Sequence, residues 1–390
     1  MHETHTLLRR RDGHEGAKVE MVELFFDLVF VFAVTQLSHS LLKNLTLQGA
    51  VQVGLLLLAV WWVWIYTSWV TNWLNPERLP VRICIFVLML AGLVVSASIP
   101  DAFKERGLLF AAAFVFMNVG RNLFMLWAVR GRSAVLVENF RRILLWFCVS
   151  GVCWIAGGLQ EGDARYLWWF AALAIDLMGP WARFWVPGLG RSNIADWDVD
   201  GGHIAERCAL FVIIALGESL LVTGATFSEM EWNRTSWIAL AVSVVGSILM
   251  WWVYFDTGAE RGVQRIRKAS APGEQARSAY TYVHVLIVAG IIVCAVADEL
   301  VLGHPDHGTN QALTVILAGP ALYLLGTMTF KWITNDRWSP PLSHVAGLLL
   351  LALLIWPTAT HLLSPVWLSA CTTGVLAVVA VWEVMALRRT

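Results

Sequence analysis

The sequence predicts an all-α fold: a polytopic transmembrane helical bundle with about twelve spans. Of the 390 residues 58% are hydrophobic and only 14% are charged, whereas soluble proteins carry about 25% charged residues. Twelve apolar runs are long enough to cross a hydrocarbon core of about 30 Å, since a helix rises about 1.5 Å per residue. The composition excludes an ordinary soluble enzyme.

The predicted spans follow one another with short polar connections. In chain order they cover residues 22–42, 50–73, 81–99, 107–128, 139–158, 165–186, 204–227, 234–256, 281–301, 312–333, 344–361 and 366–386. Only a turn at residues 160–163 separates the fifth span from the sixth. Pro357 interrupts the eleventh, because proline cannot donate an intrahelical hydrogen bond. Counts from ten to twelve are therefore compatible with the sequence.

The distribution of basic residues predicts the orientation in the membrane. With both termini in the cytoplasm, 22 of the 28 Lys and Arg residues fall on the inner side, as the positive-inside rule expects. The first 20 residues contain no apolar core followed by a small-residue cleavage site, so no removable signal peptide is predicted. We therefore expect a multi-pass protein of the cell membrane, with membrane lipids as its surroundings.

The chain also divides into candidate parts. Residues 1–20 form a predicted cytoplasmic segment, 21–195 a first transmembrane half and 196–390 a second. Residues 33–36 and 61–64 can be aligned weakly with 215–218 and 251–254, which is compatible with two parallel six-helix halves with a site between them. Chance similarity between apolar, Trp-rich helices is the alternative interpretation.

Several classes of site receive no support. The six cysteines lie in apolar runs without ligand or disulfide spacing and are expected to pack as small hydrophobes. Motifs for zinc proteases, nucleotide binding and serine hydrolases do not occur. Net charge is zero and the basic residues are spread over many loops, so no nucleic acid is expected as a partner. No cofactor is predicted, and a homo-oligomer is compatible with the sequence.

The first span carries two carboxylates one helical turn apart. Glu23 and Asp27 are at i and i+4, so they share a face near the predicted cytoplasmic end. Adjacent carboxylates suit proton sharing or cation binding, because a second negative charge is disfavoured beside the first. Placement of Glu23 at headgroup depth, beside the helix N-terminus, is the alternative.

The seventh span is the richest in ionisable residues. At about 100 degrees per residue, one face of this helix carries four of them, and these are His203, Glu206, Arg207 and Glu218. Glu218 lies near mid-bilayer, where ionisable side chains usually mark a pathway or a pair. A buried ion pair with Arg121, the arginine farthest from the ends of a predicted span, is the structural alternative.

The ninth span places titratable groups at different depths. His284 lies about 20 Å closer to the cytoplasm than Asp298 and Glu299, and a proton relay could use such a series. A neutral, hydrogen-bonded His284 is equally compatible. A metal site built from His203, Glu206 and His284 is a further alternative, but no metal is predicted.

Two short segments of the sequence resemble the bacterial low temperature requirement A (LtrA) family. They are VELFFDLVFV at residues 22–31 and HIAER at 203–207, the latter followed by GES at 217–219. Weaker agreement comes from residues 75–82, 120–121, 284 and 297–301, and the resemblance spans about residue 20 to about 385. It implies a bacterial membrane protein connected with growth in the cold. The family's polar signature falls here on Glu23, Asp27, His203, Glu206, Arg207, Glu218, His284 and Glu299.

Three functions are compatible with these observations. The distribution of ionisable residues over four spans favours a proton- or cation-linked secondary transporter of an unknown small solute or ion. An enzyme acting on a lipid-linked substrate could use His203 and Glu206 as acid and base, although an enzyme is the less favoured reading. A stress-related scaffold or sensor without turnover would use the buried charges as structural pairs.

Overall fold

The computed structural model describes residues 6–9, 18–193, 199–256, 276–334 and 338–387. These residues are almost entirely helical, and within them only isolated bridges, Leu8 with Leu74 and Val186 with Gly190, have β-type pairing. The all-α prediction is confirmed. Most of the predicted cytoplasmic segment, residues 1–20, lies outside the described residues.

The first six long helices follow the predicted spans closely. They are α1 (Met21–Lys43), α2 (Leu47–Trp73), α3 (Leu79–Ser98), α4 (Gly107–Val129), α5 (Ala134–Gly158) and α6 (Gly162–Trp181). A single 3-10 turn, Ile99–Asp101, follows α3. Ser133 caps α5 by accepting a hydrogen bond from the Leu136 backbone N–H, which satisfies one of the free donors at the helix start.

The remaining helices also match the predicted order. They are α7 (Gly201–Ser228), α8 (Arg234–Tyr254), α9 (His284–Gly303), α10 (Asn310–Thr334), α11 (Leu342–Leu353), α12 (Ile355–Ala359) and α13 (Pro365–Leu387). A π-helical segment, Ala276–Val283, leads into α9. Asn233 and Ser236 form a reciprocal capping box at the start of α8.

Within the described residues, 11 helical segments are long and apolar enough to cross a membrane. The segment Leu342–Ala359 counts as one of them although α11 ends at Leu353. Pro357 explains this break, because it has no N–H for the carbonyl of Leu353 four residues earlier and its ring crowds that carbonyl. The protein is a multi-pass membrane protein.

The helix α6 is the one predicted span that is not apolar enough to be counted among these 11 segments. It spans 20 residues and therefore has the length to cross a bilayer. Asp163, Arg165 and Asp176 lower its apolar character. Arg165 is buried, and its guanidinium donates to the backbone carbonyls of Gln160, Ala102 and Lys104.

The described residues form two compact units. Unit 1 holds those up to Leu37, Val51–Arg207 and residues 276–277, and unit 2 holds Ser38–Ala50, residues 208–256 and those from Ser278 onward. The predicted division near residue 195 into two repeated halves stays a prediction.

Aromatic rings fill much of unit 1. Trp61, Trp62 and Trp64 of α2 are fully buried. The rings of Trp154 and Trp169 lie 5.4 Å apart, and the indole of Trp154 donates to Asp176 at 2.9 Å. The aromatic packing therefore also supplies a donor for a buried carboxyl group.

Small residues allow close approach within unit 2. A Cβ added at Gly319 of α10 would lie 2.8 Å from Cys294 Sγ on α9, and one added at Gly326 would lie 2.8 Å from the Ile287 nitrogen. Glycines that let backbones approach are a common device between membrane helices, where apolar side chains gain little by leaving lipid.

Candidate functional site

A buried cluster of ionisable side chains lies in unit 1, where the first turns of α1 and α7 meet. Glu23 of α1 is 1% exposed and His203 of α7 is 0% exposed. The His203 Nε2 lies 3.1 Å from Glu23 Oε1 and 3.3 Å from Oε2. These two residues are 180 positions apart in the sequence, so only the tertiary fold joins them.

Hydrogen bonds determine which nitrogen of His203 carries the proton. The Asn72 amide oxygen accepts from the Asp200 backbone N–H at 3.0 Å, which fixes the orientation of the amide. The amide nitrogen donates to the Asp200 carbonyl at 2.8 Å and lies 3.3 Å from His203 Nδ1. Nδ1 is therefore the acceptor, and Nε2–H donates to Glu23.

Arg9 completes the outer side of the cluster. Its guanidinium donates to Glu23 Oε2 at 2.8 Å and its Nε to the carbonyls of Thr71 and Leu74 at the end of α2. The last carbonyls of a helix have no intrahelical donor and carry partial negative charge. Arg9 thus binds both the carboxylate and this helix terminus.

A second ion pair lies one turn deeper. The Arg207 Nη2 donates to Asp27 Oδ1 at 2.8 Å, and both side chains are buried. The indole of Trp64 donates to the same oxygen at 2.8 Å, and its ring lies 5.6 Å from the guanidinium carbon. Ser68 accepts from Arg207 at 3.3 Å.

We call the five ionisable residues Arg9, Glu23, Asp27, His203 and Arg207 the charge network. With a neutral imidazole, two carboxylates balance two guanidinium groups, which offsets the cost of removing each charge from water. Asp27 Oδ2 and Arg207 Nη1 nevertheless have no hydrogen-bond partner in the described part of the chain. The network is compensated in charge but incomplete in hydrogen bonding.

Arg121, the other buried arginine predicted from the sequence, lies among uncharged acceptors. It donates to the Val63 carbonyl at 3.1 Å, to Thr67 Oγ1 at 3.0 Å and to Asn118 Oδ1 at 2.7 Å. The ring of Tyr66 lies 5.6 Å from its guanidinium carbon. The ion pair of Arg121 with Glu218 stays a prediction.

The remaining candidates of α7 differ in exposure. Glu218 is buried, whereas Glu206 is exposed. Glu206 projects from α7 at a different angle from His203 and Arg207. Its carboxylate therefore does not lie on the buried face that carries those two residues.

In α9, His284 is held by neutral groups. Its Nδ1 lies 2.9 Å from the Ala279 carbonyl and must donate to it, so Nε2 accepts from the Tyr254 hydroxyl at 2.8 Å. The Tyr280 ring stacks on the imidazole with centroids 4.9 Å apart. This geometry agrees with the hydrogen-bonded alternative for His284.

The two acidic residues of α9 lie in unequal surroundings. Asp298 is buried, and the side chains of Ser219 and Ser243 approach its carboxyl group. Glu299 is partly exposed. Across the described ranges, no group of three or more His, Cys, Asp and Glu side chains has the spacing to hold a metal ion.

Sequence reasoning missed a second buried ion-pair cluster, in unit 2. Lys331 donates to Glu383 at 2.5 Å and to the Val253 carbonyl at 2.9 Å. The His344 Nδ1 lies 3.3 Å from the same carboxylate. All three residues lie near helix ends. In sequence reasoning, charged side chains at such positions are usually assigned to contacts with lipid headgroups. Arg9, Trp64 and Asn72 were also not predicted to take part in a site.

Comparison with known proteins identifies the family to which the sequence segments 22–31 and 203–207 pointed. The model of the bacterial low temperature requirement A protein (LtrA) family matches residues 18–381. An uncharacterized protein of Rhizobium meliloti (strain 1021) is 43% identical over 394 aligned residues, which cover 100% of this chain and 94% of the relative. No solved structure matches the chain. The sequence resemblance is confirmed, and the chain belongs to the bacterial low temperature requirement A protein family.

Proposed function

We propose that this protein is a proton- or cation-linked secondary transporter of a small solute or ion. The contact between Glu23 and His203, two buried titratable groups at hydrogen-bonding distance, carries the proposal. Imidazole is the side chain whose charge ordinarily changes near neutral pH. A proton passed to this pair alters the charge balance of the whole network.

The arrangement of the network supports translocation over purely structural pairing. An ionisable side chain at bilayer depth costs at least about 2.5–3.5 kcal/mol on insertion scales, and such groups usually line a pathway. Asp27 lies about 6 Å further along α1 than Glu23. The network therefore extends along the helix axis, and its unpartnered atoms on Asp27 and Arg207 leave room for a change of partners.

We further propose that the protein resides in the cell membrane with both termini in the cytoplasm. The excess of Lys and Arg in the predicted inner loops supports this orientation. In this orientation Glu23 and His203, which stand in the first turns of their helices, lie near the cytoplasmic ends of α1 and α7.

Proton flux in sealed proteoliposomes tests the proposal. The purified full-length chain is reconstituted with a pH-sensitive dye inside, and ions and small solutes are added one at a time outside. We expect a solute-dependent pH change that a protonophore abolishes. Glu23→Gln and His203→Gln should each slow it by at least about tenfold, because a positioned acid or base contributes roughly 100- to 10,000-fold to proton transfer.

Glu138→Gln is the matched control. Glu138 is an exposed carboxylate that pairs with Arg142 at 2.7 Å in the same unit, so its neutralisation should leave the flux unchanged. Equal amounts of monodisperse protein in the vesicles exclude misfolding. A wild-type protein that gives neither a pH change nor uptake of any added solute or cation would overturn the transport proposal, and normal flux in Glu23→Gln would remove the network from the pathway.

A further inference from the structure

A small cavity lies within unit 2, between α8, α9, α10 and α13. Its volume is about 20 Å³, and a single water-sized occupant needs roughly 10–15 Å³ on this measure. Six of its lining side chains carry oxygen, namely Asp298, Ser243, Ser247, Ser369, Thr372 and Thr373. Three helices, α8, α9 and α13, thus place one carboxyl group and several hydroxyls around a space of atomic size.

Some of these oxygens have no hydrogen-bond partner. Ser243 and Ser247 stand one turn apart on α8 and are 2% and 3% exposed. In the described part of the chain neither hydroxyl makes a hydrogen bond, although Ser243 approaches the Asp298 carboxyl group. A buried hydroxyl without a partner is unfavourable, and an occupant that binds both hydroxyls would stabilise them.

The backbone of α10 supplies another oxygen. Pro320 stands inside this helix and has no N–H, so the carbonyl of Ile316, four residues earlier, lacks its helical donor. Both residues line the cavity. Membrane transporters use such released carbonyls to coordinate small cations.

Charge selects the class of occupant. Asp298 is the only ionisable carboxyl group among the cavity-lining residues. A monovalent cation neutralises it, whereas a divalent cation would leave a net positive charge buried among apolar helices. Carboxylate, hydroxyl and carbonyl oxygens are ligands for hard cations.

We propose that this cavity is a binding site for one dehydrated Na⁺ ion, held by Asp298, Ser243, Ser247, Thr372 and the Ile316 carbonyl. The assignment of this ion as a coupling ion of transport, alongside the proton, rests on the function proposed above. Binding itself does not, since it requires only the packing of unit 2.

Equilibrium binding of radioactive Na⁺ to the detergent-purified full-length protein tests the site directly. We expect saturable binding of one ion per chain, competed by unlabelled NaCl and not by choline chloride. NaCl should also raise the midpoint of thermal unfolding above that in choline chloride at equal ionic strength, because a ligand that binds only the folded state stabilises it.

Variants separate the site from general folding effects. Asp298→Asn and Ser247→Ala should each weaken Na⁺ binding by at least about tenfold, while Ser247→Ala, which removes one buried oxygen, should leave the protein folded. Asp176→Asn is the matched control, because Asp176 is a buried carboxyl group of unit 1 that accepts from Trp154. It should bind Na⁺ as the wild type does.

Each result bears on the proposal. Loss of binding in Asp298→Asn and Ser247→Ala together with normal binding in Asp176→Asn supports the site. A wild-type protein that binds no Na⁺, or an Asp298→Asn protein that binds it normally, overturns the site and indicates that the cavity holds only water. Na⁺ binding without solute flux would instead overturn the transport function and leave the site intact.

Discussion

At the residue scale, Asp27 and Arg207 depend on each other for their charge balance. One carboxylate oxygen of Asp27 accepts from both Arg207 and Trp64, and both charged groups are buried. Removing one partner of a buried pair leaves an uncompensated charge, which costs more than the pair itself contributes. The indole of Trp64 fixes the position of the carboxylate but cannot replace its charge.

Asp27→Asn should therefore destabilise the folded protein by roughly 3–5 kcal/mol, because Arg207 loses its counter-charge. The midpoint of thermal unfolding in detergent, followed by the loss of helical circular dichroism, measures the effect. Arg207→Gln added to Asp27→Asn should recover part of the loss, since the double variant buries no unpaired charge.

Glu138→Gln provides the reference for an exposed pair. Its side chain is 50% exposed, so the unfolding midpoint should shift by less than the equivalent of about 0.5 kcal/mol. An Asp27→Asn protein as stable as Glu138→Gln would show that the buried pair is not needed for stability.

At the element scale, α9 and α10 owe their close contact to glycine. Gly326 of α10 faces Ile287 of α9, with the Ile287 nitrogen 2.8 Å and its Cγ1 2.9 Å from the position of an added Cβ. One of these neighbours is backbone, so it cannot move aside as a side-chain end would. Close packing of these two helices thus depends on this glycine. Burial of apolar area contributes little, because apolar side chains contact lipid equally well.

Gly326→Ala should separate α9 from α10 and lower the free energy of unfolding by roughly 1–3 kcal/mol, as overpacking of a tight core does. Gly374→Ala in α13 is the control, because an added Cβ there meets nothing within 4 Å. That control should be neutral, or more stable by up to about 1 kcal/mol, since alanine favours helix. Equal unfolding midpoints for the two variants would contradict the close-packing argument.

At the scale of the whole molecule, the number of crossings decides the side on which each terminus lies. The described chain has 11 segments that satisfy both length and apolarity, and α6 satisfies length alone. With α6 crossing, the count is even and both termini share a side. The excess of basic residues in the loops assigned to the cytoplasm favours the even count.

Reporter fusions test this topology. Green fluorescent protein should fluoresce at both termini, and alkaline phosphatase should be active when fused at Glu161, between α5 and α6. A C-terminal fusion that is active as alkaline phosphatase but does not fluoresce as green fluorescent protein would show that α6 does not cross the membrane. The two termini would then lie on opposite sides.

Helix positions were accessible from the sequence because they depend on local composition. The predicted span 107–128 appears as Gly107–Val129 and the span 234–256 as Arg234–Tyr254, since a run of apolar residues must be as long as the bilayer is thick. The same reasoning identified Glu23, Asp27, His203 and Arg207 as ionisable residues that must find partners.

Tertiary structure alone decided which partners meet. The sequence placed Glu23 beside Asp27 but could not join it to His203, 180 residues away, nor join Lys331 to Glu383, 52 residues away. Apolar helices expose nearly the same surface to lipid and to one another, so helix pairing depends on close steric fit and on a few polar contacts. Those determinants are spread across distant segments, and they become visible only when the helices are packed together.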